Sequence, residues 1–373
     1  MKISTILLLL VMLSHGCVDR TQNVSSSERD DLKSVPDEYF NGLFIRDCCG
    51  FTGGDGTYSV PLPDGRTVWI FGDTFLGTVN PDLSRQPLAP MFIRNSFVIQ
   101  DGDSLRTLHQ QRPTHEASML IPPAPPGKAE LSEDSVWFWP GDGLIENGKL
   151  LVFLSQFTQQ DTGMWNFQWQ STWLATFSLP DLSEESVVEI PYGQAQKVHY
   201  GHAVLEEELY TYIYGAHKGK SEESRPHAAR YPAGKVHGEW EFFTGKEWTS
   251  NPDLTGPMGN MHASEQFTVL KIKDKYVYIT QMDMFSKEIC SFTSDTPYGP
   301  WGNKKLLYTT PIPGGDKNLI TYNAIAHPQF IKDNRILISY NMNSFELSDH
   351  FRNADIYRPR FIRVPLELID PEF

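Results

Sequence analysis

Cysteine is scarce in this chain, at four residues in 373. There is no CxxC pair and no His/Cys spacing of the zinc type, so neither a zinc knuckle nor a dithiol redox motif organises it. Basic residues are also few. Against 46 Asp and Glu stand 32 Lys and Arg, leaving a formal net charge of −14 and a pI near 5.2. That balance offers no basic stripe for phosphates, which argues against nucleic acid as a partner and equally against a strongly anionic polymer as substrate. The Walker loop, the dinucleotide glycine fingerprint and the GxSxG elbow are all missing. The run Gly53-Gly54-Asp55-Gly56 precedes a strand rather than a helix, so it reads as a turn and not as a phosphate cradle. No stretch has a convincing helical period.

What the chain does have is a block that recurs five times. Each block opens on a polar or titratable residue: Asp55, Asp142, His202, Glu265 and His327, separated by 87, 60, 63 and 62 residues. After each opener comes a β-branched and aromatic run, a turn, and a second such run. The turns fall at Pro63-Asp64-Gly65, Glu146-Asn147-Gly148, Glu206-Glu207, Lys273-Asp274 and Lys332-Asp333-Asn334, which is hairpin chemistry. The second runs close on Asp73, Gln156, Tyr214, Gln281 and Asn341, which the hairpin returns to the opener's end.

Regular repetition at this period predicts an all-β, five-bladed β-propeller, one sheet per blade, with the five openers converging on one channel mouth. Blades cannot bury their faces alone, so a single domain over residues 38–373 is expected. The last blade runs out after its third strand, and the segment near Tyr39 to Ile45 is expected to supply the missing outer strand and close the ring. The longer first gap leaves room for an insertion around Pro81 to Glu133, including the proline-rich IPPAPPGKAE, near the channel mouth.

The first 17 residues combine a basic start, an apolar core and a small residue before Cys17, which marks a secretory signal too short to span a membrane. Ending in Gly16-Cys17, it resembles a bacterial lipoprotein signal. That resemblance implies lipid attachment at Cys17 and a place in the bacterial cell envelope, with cleavage without lipid as the rival. Residues 18–37 read as a flexible tether. Cys48 and Cys49 are adjacent. Either one of them pairs with Cys290, as export permits, or all three are buried thiols.

An acid-lined mouth rimmed by aromatics suits carbohydrate. Cleaving a glycosidic bond takes two carboxyl groups, one protonated and one ionised, and no cofactor. Asp55 and Asp73 are expected as cross-hairpin neighbours whose charges repel, raising one pKa. Asp142 and Glu265 form a second candidate pair across the channel. His202, His262 and His327 are candidates for binding sugar hydroxyls or for satisfied core positions. Gln156, Gln281 and Asn341 join them as strand-end polar groups. A ring of His and acids also leaves room for a structural cation. Arg358 and Arg360 share a strand face, either pairing with channel acids or lying at an exposed edge. Of Trp137, Trp139, Trp165 and Trp169, one or two at most are expected to meet sugar, the others packing between blades. Each aspartate has a plain alternative as a turn residue, because glycine flanks it.

Two sets of motifs carry a resemblance. Ser294-Asp295-Thr296-Pro297-Tyr298-Gly299-Pro300-Trp301 is similar to the S-D-x-P-x-G-P-W stretch of arabinanase-type enzymes. Gly53–Gly56 together with Trp69-Ile70-Phe71-Gly72-Asp73-Thr74 looks closer to the endo-D-arabinofuranase-type subgroup. The chain therefore resembles the five-bladed β-propeller glycoside hydrolases acting on furanosides. The resemblance implies catalysis by first-blade acids, which are Asp55 and Asp73 here. The plain N-terminal Asp-Pro signature of many arabinanases is absent. A carbohydrate substrate and a monomer are expected. A non-catalytic glycan-binding lipoprotein and a protein-binding scaffold remain as rival classes.

Overall fold

The computed structural model describes residues 32–86, 92–112, 116–124, 131–163, 165–218, 224–262, 264–283 and 285–373. The signal, Cys17, most of the tether and residues 125–130 of the proline-rich stretch lie outside the described residues. The fold is all-β. Among the described residues, five antiparallel sheets of four or five strands follow one another along the chain.

The first sheet is built from Tyr58–Pro61, Thr67–Phe71, Ser96–Asp101 and Ser104–Leu108. The second holds Val136–Glu146, Lys149–Gln159, Phe167–Ser178 and Ser183–Glu189. The third opens with Val198–Glu206, Tyr210–Lys218 and Ser224–Pro232. The fourth takes Phe267–Ile272, Lys275–Gln281, Glu288–Ser294 and Gly302–Thr309. In the fifth, Leu319–Lys332 and Arg335–Ser344 pair with each other, and the latter with Arg360–Pro365. The first strands of successive sheets pack on one another in chain order, and that of the fifth touches that of the first. Each sheet is open; the ring is made by packing between sheets.

The turn chemistry is physical. Asn147-Gly148 and Asp333-Asn334 take positive φ at both residues, as two-residue hairpins require. Between the sheets lie five apolar seams. Val60, Ile70 and Phe97 meet Phe138 and Val152 between first and second sheets, while Phe44, Trp69 and Phe71 meet Leu337 and Phe361 between fifth and first. Thr67–Phe71 is buried on both faces, which is why it reads as a continuous apolar run rather than an alternating one. Fully burying one such side chain contributes about 1.5–3 kcal/mol.

The closing strand of the fifth sheet is Val35–Pro36, paired with Ile362 and Arg363, and not the expected Tyr39–Ile45. The reason is a cap. The Asp37 carboxylate accepts the Phe40 N–H, so Glu38–Leu43 turns into a short helix instead. Two residues of the stretch read as tether therefore belong to the packed sheet. The cysteine expectation is also corrected: Cys48 bonds to Cys49, and Cys290 is a buried thiol in the fourth sheet, beneath Tyr278 and Phe267.

Candidate active site

The first sheet carries a small extension at its mouth, in which Gly53–Gly54 pairs with Thr74–Phe75. Asp55 follows the first of these strands and Asp73 precedes the second. The Asp55 N–H donates to the Asp73 carbonyl at 3.3 Å, and the Gly72 N–H donates to the Asp55 carbonyl at 2.7 Å. The two carboxylates are thus neighbours across one hairpin, at the kink where the extension meets the sheet. Gly56 at φ 85 and Thr57 at φ 25 make that kink. Gly72 is needed for a second reason: a Cβ there would stand 2.8 Å from an Asp55 carboxylate oxygen.

Asn341 of the fifth sheet clasps the turn. Its amide N–H groups donate to the Gly54 carbonyl and Thr57 Oγ1, and its oxygen accepts the Gly56 N–H at 3.2 Å. From behind, the buried guanidinium groups of Arg85 and Arg358 both donate to the Thr52 carbonyl. Arg358 is otherwise spent on Asp47 and Asp355. It therefore anchors the segment leading into Asp55 instead of meeting the channel acids, and Arg360 bonds the Asp355 carbonyl.

The two acids have different surroundings. Tyr322 Oη donates to Asp55 Oδ2 at 2.6 Å, and Asn343 Nδ2 steadies that hydroxyl at 2.8 Å. Burial pushes the Asp55 carboxyl up to about 7, the nearby Asp73 charge adds to the push, and hydrogen bonds from Tyr322 and Tyr357 oppose it. Asp73 accepts Trp139 Nε1 at 2.8 Å and lies 3.5 Å from Arg94 Nη1, with 15% of its side chain exposed. Burial raises its pKa too, but the Arg94 charge and the Trp139 bond work against the rise. Arg94 lies over the Trp137 ring at 4.3 Å. It is set by the insertion: its backbone N–H donates to Ser118 Oγ and its Nε to the Glu133 carbonyl.

The other predicted residues fall elsewhere. Asp142 sits in a β-bulge, and its oxygens accept the N–H of Gly143 and of Val204, both at 2.9 Å, stitching the second sheet to the third. Burial raises it to about 7, with the Glu206 charge adding to the push and the two backbone N–H groups opposing it. His202 occupies the matching bulge of the third sheet; burial lowers it to about 4, and its Nε2 has no hydrogen-bond partner among the described residues. His327 is wedged between Ser59 and Ser339 and lowered by burial to about 3, which makes it a neutral seam residue away from the mouth. Gln281 donates to the Ser286 carbonyl from a buried strand end. Gln156 lies at a register shift opposite Ser171. His262 and Glu265 are half-buried on the segment entering the fourth sheet. Among the described residues no group of three or more His, Cys, Asp and Glu is arranged to hold a metal ion.

Tyr322, Tyr357 and Arg94 escaped the sequence reading. The fifth block was read from His327, whereas its bulge falls between Tyr322 and Ile325, in the earlier half of the 14-residue strand. Tyr322 is thus the residue at the mouth. Its signal in the sequence was the spacing to the bulges at Asp142 and His202, had the polar opener not been required.

The chain belongs to the family described as Domain of unknown function (DUF5005), whose model matches residues 37–366. A crystal structure of a presumed hydrolase from Bacteroides ovatus ATCC 8483 is similar at 25% identity and a TM-score of 0.75, over 88% of this chain and 89% of that one. More distant are a GH43_1 enzyme from Xanthomonas citri (13% identity, TM-score 0.45, 88% and 90% covered) and an alpha-L-arabinofuranosidase from Podospora anserina in complex with cellotriose (10%, 0.45, 84% and 91%). No curated protein sequence matches the chain.

Proposed function

We propose that this protein is a five-bladed propeller glycoside hydrolase acting on a furanoside-containing glycan, with Asp55 as the proton-carrying acid and Asp73 as the ionised carboxylate. The observation that carries the reading is the pair itself: two adjacent carboxyls with unequal partners. Asp55, pushed to about 7, holds a proton near neutral pH. Asp73 faces a guanidinium and an indole N–H, which favour its charged form. One protonated and one ionised carboxyl is the minimum that glycoside hydrolysis asks for. The hydrolase named for the Bacteroides ovatus relative supports a hydrolytic reading. The N-terminal signal supports export, with lipid on Cys17 tethering the protein to the cell envelope. Membrane fractionation of a Cys17→Ser chain tests that part, since loss of the anchor would release the protein.

The functional test is hydrolysis of a panel of plant and bacterial polysaccharides by protein lacking residues 1–34, beside an Asp55→Asn control. Sugar release that the control loses is expected. Binding without release from any glycan would replace the enzyme with a glycan-binding lipoprotein.

A further inference from the structure

Beyond the acid pair, three large aromatic side chains stand in solvent at one place. Trp165, Phe285 and Phe345 keep 45%, 36% and 44% of their surface exposed. They nevertheless touch one another, with ring centroids 6.2 Å apart for Trp165–Phe285, 5.8 Å for Trp165–Phe345 and 5.6 Å for Phe285–Phe345. They come from the second, fourth and fifth sheets, but from the same place in each: the loop after the second strand. In the first sheet that loop holds Asp73. The equivalence puts the three rings at the same end of the ring of sheets as the acids. Phe285 makes the link direct, because its ring lies 6.4 Å from Tyr322, the residue bonded to Asp55.

Such a cluster of apolar rings is left in water only where something covers it. The interplanar angles of 77°, 61° and 89° leave no two rings parallel. A flat partner would meet one ring and miss the others. A puckered saccharide presents C–H groups on more than one side, and its hydroxyls point back to solvent. We infer that Trp165, Phe285 and Phe345 form a sugar-binding platform that takes a residue of the same glycan whose neighbour lies at Asp55 and Asp73. The inference rests on the glycan reading of the site, and Tyr322 is the wall the two positions share.

The test is native electrophoresis through gels containing arabinan, arabinoxylan or arabinogalactan, in an Asp55→Asn background so that the polymer is not consumed. At least one polymer is expected to retard the protein. Trp165→Ala and Phe345→Ala should each weaken the apparent affinity by roughly three- to tenfold, with Trp165→Phe in between. Leu209→Ala, at a turn on the opposite end and 73% exposed, should change nothing. Melting temperatures beside the gels exclude misfolding. Full affinity in both alanine variants overturns the platform, and so does the absence of retardation in all three gels. The hydrolysis reading fails separately: if protein with Asp55 intact releases no sugar from any of the three polymers while Trp165→Ala still weakens retardation in the Asp55→Asn background, the platform stands without the catalysis.

Discussion

Asp55 and Asp142 share a Gly-Asp-Gly context, and burial pushes both carboxyls up to about 7. Their partners differ. Asp142 is held by two backbone N–H groups, one from its own sheet and one from the next, which leaves it nothing to do but join them. Asp55 is held by the hydroxyl of Tyr322, with a second acid beside it. Backbone partners fix a carboxylate for good; side-chain partners beside a second carboxylate leave a proton that can be exchanged. A perturbed acid is therefore a poor guide to a site until its partners are known.

Substitution should separate the two regions most sharply. Asp55→Asn is expected to lower hydrolysis by about 10²–10⁴-fold, the usual contribution of a positioned acid or base, while leaving the fold intact. Asp142→Asn keeps only one acceptor oxygen and should cost about 1–3 kcal/mol of stability in denaturant titrations, with the specific activity of the folded protein retained. The reverse pattern would exchange the two roles. Next in size, Asn341→Ala unclasps the Gly54–Thr57 turn and should reduce kcat on the order of tenfold, since a positioning error of about 1 Å costs up to 10²-fold, without moving the pH profile.

The pH dependence sharpens the comparison. An acid that must carry its proton makes activity fall as pH rises through about 7. Tyr322→Phe removes a bond that lowers the Asp55 pKa, so this falling limb should move to higher pH. The shift should be less than about one unit, because one hydrogen bond contributes about 1 kcal/mol. Stability should show both aspartates at once. Between the ordinary carboxylate value of 3.8 and about 7, the folded protein holds protons on Asp55 and Asp142 that the unfolded chain has released. Stability therefore declines as pH rises across that window. Asp55→Asn should flatten the decline when unfolding is compared at pH 5 and pH 8. An unchanged slope would mean that the Asp55 carboxyl is not perturbed.

The repeating strands were legible because hairpins write themselves locally: turn residues with positive φ, apolar runs on either side. The Asp55–Asp73 juxtaposition followed from the same local rule. What sequence could not show is who reaches across. Tyr322 lies 267 residues from Asp55 and Asn341 lies 284 from Thr57, and no local pattern links either to the first sheet. By alternation alone Arg358 stood either against the channel acids or at an exposed edge, yet it is buried and Asp47 and Thr52 claim it from behind. The misplaced closing strand has a smaller cause. One capping aspartate, Asp37, decides where extended chain ends and helix begins.

The pairing of Val35–Pro36 with Ile362 and Arg363 bears on how the chain acquires its shape. Among the described residues Val35–Pro36 is the earliest strand to be made, and it must wait for Ile362 and Arg363 to be synthesised before it can pair. Four sheets can assemble while the fifth stays incomplete, and the seam between fifth and first holds Trp69 and Phe71 exposed until then. Completing it closes a loop spanning most of the sequence, a slow step for which local structure offers no shortcut. The vulnerable interval in the synthesis of this chain is thus the one before Arg360–Pro365 arrives.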